Sequence, residues 1–323
     1  MTALTAFLGT NLGRLVAGVV AFLVVATLIG QVMARTARSE KTLATLRNAN
    51  ARIRAWWVMV AVFGVAVGTG GTGSILMFAV VSFLAMREFM TLTPTASDDH
   101  AVLIFAFFIF APIQYALVWA EWYGLFSILI PVYAFVAFAT RAALSGNTQR
   151  FLERTATVQW GLMACVYCVS HTPALLILRI PDHPDAGATL LFYLVLVAQI
   201  NDVMQYIWGK ALGEHPVAPT VSPNKTWEGF VGGTLTTIGI GTALWWATPF
   251  SPLAALAMST VITLLGFSGG LVMSAIKRDR GVKDFGAMIE GHGGILDRID
   301  SLLFAAPVFF HLVRFFYQPY EWR

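Results

Sequence analysis

Residues 229–276 are 48 consecutive positions without one Asp, Glu, Lys, Arg or His. A helix that crosses a bilayer needs about 20 mostly apolar residues, so this run is long enough for two crossings. The turn between them is supplied by Thr248-Pro249-Phe250-Ser251-Pro252. The rest of the chain has the same character: of 323 residues, 57% are apolar and 12% charged, and the mean hydropathy is +0.71. Such a composition excludes a disordered chain and leaves no large basic surface, so nucleic acid is not an expected partner. The expected fold is all-α, a polytopic membrane helix bundle in contact with the lipid bilayer.

Further spans are expected at residues 15–34, 101–120, 122–140, 155–178 and 301–317, and one that begins at 186, runs into Asp202 and ends near Trp208. The run 55–86 is too long for a single crossing and is divided at Thr69-Gly70-Gly71-Thr72-Gly73. That makes about ten transmembrane helices. Loops then alternate between the two sides, and 16 of the 21 Lys and Arg fall in segments 35–54, 141–157, 209–228 and 274–298, all on one side. The other side holds Arg179 and Arg323. By the positive-inside rule the first side is cytoplasmic and both termini lie outside. Loops 209–228 and 274–298 therefore share one face. Residues 1–13 carry no positive charge, so no cleavable signal is read there.

The chain is expected to divide into an N-terminal scaffold, residues 1–185, and a second membrane region, 186–323, with motif loops 201–229 and 274–301. Small residues in 229–233 and 266–270 allow close helix approach. The basic stretch 35–54 reads as a topology determinant or as a surface helix drawn to anionic lipid. Cys165 and Cys168 read as small residues on one face of a buried helix, with neither a disulfide nor a metal.

Eight of the 17 acids lie between Asp202 and Asp300. The densest polar stretch runs from Ser274 through Lys277, Arg278, Lys283, Asp284 and Glu290 to His292, Gly293, Gly294, Asp297, Arg298 and Asp300. Glycines around His292 let backbone N–H groups approach a ligand closely. Asp297 and Asp300, three apart on a helix, share a face and offer oxygens to a hard cation such as Mg²⁺. The basic residues suit phosphate. This spacing reads as metal-dependent phosphate chemistry at the membrane surface. Asp202 adjoins an apolar span, which by itself marks a functional candidate. The run Ser222-Pro223-Asn224-Lys225-Thr226 offers hydroxyls and an ammonium, although a turn capping the next helix explains it as well.

Ser274, Lys277, Arg278, Lys283, Asp284, His292, Gly293, Gly294, Asp297, Arg298 and Asp300 fill the pattern S-x-x-K-R-x-x-x-x-K-D…H-G-G-x-x-D-R-x-D. It resembles the signature of the CDP-diacylglycerol synthases (phosphatidate cytidylyltransferases). The segments 201–209 and 222–229 resemble others of that family, and the likeness covers the C-terminal 120 residues or so. In one position the chain departs: many bacterial members have Asp where this chain has Gly270, and the Gly269-Gly270 form is closer to the eukaryotic-type branch.

The resemblance implies Mg²⁺-dependent cytidylyl transfer from CTP to phosphatidic acid, giving CDP-diacylglycerol and pyrophosphate. It implies Mg²⁺ ligands among Asp297, Asp284, Asp300 and Asp202, with Asp202 or Asp284 filling the place left by Gly270. Lys277, Arg278, Lys283 and Arg298 would hold triphosphate or lipid phosphate. Ser222, Asn224, Lys225 and Thr226 would close the site, Gly293 and Gly294 would bind substrate, and His292 would shape the loop or touch phosphate. It also implies a homodimer in the bacterial inner membrane with a cytoplasmic site. The alternatives are a polytopic transporter, against which the one-sided polar cluster speaks, and a cytidylyltransferase for a different lipid phosphate.

Overall fold

The computed structural model describes residues 3–36, 39–93, 99–286 and 293–319. Among them ten long helices follow one another: α1 Asn11–Thr36, α2 Glu40–Gly68, α3 Gly70–Thr91, α4 His100–Trp119, α5 Tyr123–Ala143, α6 Phe151–Ile177, α7 Ala186–Leu212, α8 Trp227–Ala243, α9 Pro252–Asp279 and α10 Leu296–Tyr317. Eight are long and apolar enough to cross a membrane. The other two are α2, whose apolar part is Trp56–Gly68, and α8, with 17 residues. Between α7 and α8 an antiparallel hairpin pairs β1 Pro216–Ala218 with β2 Ser222–Thr226. The chain is an all-α integral membrane bundle.

Local chemistry sets the boundaries. The α2–α3 break falls at Thr69, followed by Gly70 at φ +82°, a conformation that glycine adopts without strain. The α9 start follows from Ser251, whose hydroxyl accepts from Ala254 N at 3.2 Å, and from Pro252 in the first turn. The basic stretch 35–54, read as a topology determinant or a surface helix, has no helix boundary of its own before the apolar run. From Glu40 it is the first half of α2 and continues unbroken into the apolar half, because no proline or glycine interrupts it before Gly64. Asn50 and Trp57 on α2 reach back to Gly30 O and Thr27 Oγ1 on α1, at 3.2 and 3.1 Å, so the two form an antiparallel pair.

Three helices of the N-terminal half contain π-helical turns: Ala106–Phe110 in α4, Leu129–Ala134 in α5 and Met163–Cys168 in α6. Side-chain amides meet backbone carbonyls beside these turns. Gln114 Nε2 donates to Phe126 O at 3.1 Å, and Gln159 Nε2 to Ile130 O at 3.3 Å. Cys165 and Cys168 are both buried on the third turn.

One core of buried apolar side chains runs from Ile75 to Val313, across the expected division at residue 185. In the C-terminal half, glycines bring helices together. A Cβ at Gly229 or Gly233 would lie 2.8 or 2.6 Å from the Gln205 backbone of α7, and one at Gly269 would press on Asp300 O of α10. This is the close packing expected of 229–233 and 266–270.

The two ends of the bundle are distinct. At one, the start of α1 touches the turn after α8 (Asn11 Nδ2 to Trp246 O, 3.3 Å), and Arg179 pairs with Glu121 at 2.7 Å. The last turn of α10 is there too, with the Arg314 guanidinium 3.7 Å above the Tyr123 ring. At the other end Arg154 makes a buried ion pair with Asp99, at 3.0 Å, and both motif loops are found. Gly233→Val should overpack the α7–α8 contact and cost about 1–3 kcal/mol. The check is a lower thermal unfolding temperature in detergent, with Gly239→Val as control, since a Cβ at Gly239 meets nothing within 4 Å.

Candidate active site

The site is built where α9 ends and α10 begins. Lys277, in the last turn of α9, and Asp297, in the first turn of α10, are both about nine-tenths buried. Lys277 Nζ donates to Asp297 Oδ1 at 2.7 Å and lies 5.4 Å above the Phe285 ring. Asp297 Oδ2 accepts from Phe285 N at 2.8 Å and Gly294 N at 3.0 Å. One carboxylate thus holds a cation and both sides of the connecting loop. Gly293 has φ +78°, and a Cβ there would lie 2.8 Å from Asp297 Oδ2, so only glycine fits.

The second motif loop meets the first. The Lys225 side chain, at the end of β2, comes to lie over α9: its Nζ is 4.9 Å from the centre of the Phe267 ring and 2.8 Å from where a Gly270 Cβ would be. The same Gly270 position faces Asp300 Oδ2 at 3.7 Å. Where many relatives in the resembled family have an acid, this chain leaves room for an ammonium. Asp202 from α7 and Asp300 from α10, both half-buried, are close enough to repel each other, and Lys225 is close enough to attract both. Arg278 ties the loops directly, with Nε to Val221 O at 3.2 Å and Nη1 to Val282 O at 2.8 Å.

The other expected residues fall around this centre. Arg298 is half-buried, and its Nε has no hydrogen-bond partner among the described residues. Lys283, Asp284 and Asn224 are exposed and Ser222 is half-buried. The Thr226 hydroxyl caps α8 by accepting from Gly229 N at 3.2 Å, the alternative its sequence position left open. His292 lies outside the described residues. Gly294 faces an acid: a Cβ there would overlap both carboxylate oxygens of Glu88.

Glu88 escaped the sequence reading. It lies near the end of α3, is 7% exposed, and accepts from Ile295 N and Leu296 N, each at 2.9 Å. The rule that singled out Asp202, a carboxylate adjoining an apolar span, applies to Glu88 equally.

Mg²⁺ takes one or two carboxylates and completes its shell with phosphate and water. Two like-charged carboxylates brought together, as in Asp202 and Asp300, fit that demand. Among the described residues no three His, Cys, Asp or Glu side chains gather into a cage of their own.

A family model described as the cytidylyltransferase family matches residues 50–316. A protein of Escherichia coli K12, described as uncharacterized protein YnbB, is 39% identical over 268 residues, 82% of this chain and 87% of its own. The phosphatidate cytidylyltransferase of Mycobacterium leprae is 39% identical over 173 residues (52% of this chain, 53% of its own). That of Bacillus subtilis is 33% identical over 210 residues (64% and 74%). The chain belongs to the cytidylyltransferase family. It is a nucleotidyltransferase that uses CTP, and the transporter alternative gives way to that membership.

At the base of the hairpin, His215 Nδ1 meets Glu228 Oε1, while Glu228 Oε2 accepts from the N–H groups of Glu214 and His215. The Glu228 carboxylate holds the exposed His215 imidazole above its usual pKa, by hydrogen bond first and then by charge, with Glu214 adding to it. A raised folded-state value means the pairing contributes fully below the unfolded value and is lost as pH rises through the folded one. In an NMR titration His215 should keep its proton to higher pH in the wild type than in Glu228→Gln.

Proposed function

We propose that this enzyme transfers the cytidylyl group of CTP to phosphatidic acid, giving CDP-diacylglycerol and pyrophosphate, with Mg²⁺ as cofactor. The observation that carries the proposal is the approach of the two motif loops: Arg278 Nε donates to Val221 O at 3.2 Å, and Lys225 Nζ and Asp300 Oδ2 lie 2.8 and 3.7 Å from the Gly270 Cβ position. Similarity to the phosphatidate cytidylyltransferases of M. leprae and B. subtilis supports the acceptor.

A phosphate oxygen of the lipid attacks the α-phosphorus of CTP, and the bond to the β-phosphate oxygen breaks as pyrophosphate leaves. The attacking oxygen is already ionised, so no general base is required. Catalysis rests on positioning and on neutralising charge. Arg298, Lys225 and the exposed Lys283 would meet phosphate. Lys277, paired with Asp297, would offer its remaining donors to phosphate. Arg278 sets the hairpin against α9. Asp202, Asp300, Asp284 and the remaining lone pair of Asp297 Oδ1 are the carboxylates that would hold Mg²⁺. When bound, the ion would neutralise phosphate charge on the nucleotide.

The acyl chains would enter sideways from the bilayer. The motif end faces the cytoplasm of a bacterial inner membrane, a reading supported by the 16 Lys and Arg of segments 35–54, 141–157, 209–228 and 274–298.

Purified protein should incorporate radiolabelled CTP into chloroform-extractable lipid when given phosphatidic acid and Mg²⁺, and not when EDTA is present. Incorporation with another lipid phosphate and none with phosphatidic acid would overturn the acceptor. Asp297→Asn should lower turnover by roughly 10²-fold or more, with normal membrane insertion. Lys225→Ala should lower it by about 10–100-fold; wild-type turnover in that variant would mean that the hairpin takes no part.

A further inference from the structure

Glu88 is a buried carboxylate with no cation against it: among the described residues no Lys, Arg or His pairs with it. Its charge is met by backbone instead. Oε1 accepts from Ile295 N and Oε2 from Leu296 N, which are N–H groups left open at the start of α10. The positive end of the helix and two charge-assisted hydrogen bonds make that a favourable seat for an anion. The neighbouring residue adds to the contact, since the Phe89 ring stacks on Phe285 with centroids 6.4 Å apart.

Two glycines make room for this carboxylate. A Cβ at Gly286 would come within 2.8 Å of Glu88 Oε1, and one at Gly294 would overlap both oxygens. Residues 285–286 and 293–296 therefore both rest on the tip of α3. The next residues of α10 are Asp297, Arg298 and, one turn on, Asp300. The tip of α3 is itself wedged from behind: a Cβ at Gly161 of α6 would lie 2.6 Å from Met90 Cε and 2.8 Å from the Phe89 ring.

We propose that Glu88 is a positioning residue for cytidylyl transfer. From the N-terminal half it fixes the start of α10, and with it the places of Asp297, Arg298 and Asp300. Gly286 and Gly294 serve to admit the Glu88 carboxylate, and they do not cradle phosphate. The inference rests on the cytidylyl-transfer reading above for its kinetic consequence and on the structure alone for the seat.

Four proteins test it: wild type, Glu88→Gln, Gly294→Ala and the double variant. Gln keeps the volume and one acceptor but sets an amide N–H₂ against a backbone N–H. Glu88→Gln should lower kcat at least 10-fold while the KM for CTP changes less than 3-fold, and Glu88→Asp should recover part of kcat. Gly294→Ala should show a similar defect, and the double variant should be no worse than the poorer single one, because both changes break the same contact. Multiplying defects would assign Gly294 to the substrate, and a wild-type kcat in Glu88→Gln would remove the positioning role.

Hydrogen exchange of a peptide covering 293–297 reads the seat without turnover. The Ile295 and Leu296 amides should exchange at least 10-fold faster in Glu88→Gln, and unchanged exchange overturns the seat. If wild-type protein transfers no cytidylyl group to any lipid phosphate, the proposed function fails, while the exchange result still decides the role of Glu88 in holding α10. If Glu88→Gln does not fold, the Gly294→Ala and Gly286→Ala variants give the same exchange test from the other side of the contact.

Discussion

A single buried carboxylate organises the motif end of this bundle. Asp297 takes an ammonium from α9 on one oxygen and two backbone N–H groups on the other. Remove that anion and Lys277 is a cation inside a bundle, while the ends of a glycine-rich loop lose their tether. A buried pair broken on one side costs about 3–5 kcal/mol, mostly through the charge left behind. Lys277 and Asp297 meet because α9 ends at Asp279 and α10 begins at Leu296.

Glycine supplies the second constraint. Lipid gives little hydrophobic drive for helices to associate, so they associate by close packing and by polar contacts between them. Gly229 and Gly233 set α8 against the backbone of α7, and Gly266 and Gly269 set α9 against α10. That closeness brings Asp202, from the middle helix, near Asp300 and Lys225. Gly270 leaves the space in which the Lys225 ammonium lies. Packing and chemistry thus use neighbouring positions of one helix stripe.

Much of this was legible in the chain. Charge-free runs located the helices to within a few residues at most ends, and the glycine and proline turns at 69–73 and 248–252 marked both hairpins. The alternation of basic loops placed 209–228 and 274–298 at one end, where Arg278 and Val221 now touch. Other features were hidden. The π-helical turns leave no composition signal, and the one carbonyl among them that meets a glutamine, Ile130 O, finds it 29 positions away at Gln159. The basic stretch 35–54 gave no sign of continuing into a span, since polarity and helix continuity are independent properties. Glu88 was visible as a carboxylate adjoining an apolar span, but what it holds was hidden: its partners are backbone groups 207 and 208 positions away, and backbone donors have no side-chain signature. The roles of Gly293 and Gly294 depend on side chains that fill the space beside them, which spacing does not reveal.

In the proposed mechanism both motif loops form one centre, which would hold a nucleotide's phosphates and a divalent ion. A structure of the protein with CTP and Mn²⁺ in place of Mg²⁺, determined so that the manganese signal locates the ion, reads this directly. The ion should lie on Asp202 and Asp300, with the triphosphate between Lys225 and Arg298. A nucleotide bound at the opposite end of the bundle, or an ion touching neither aspartate, would contradict it.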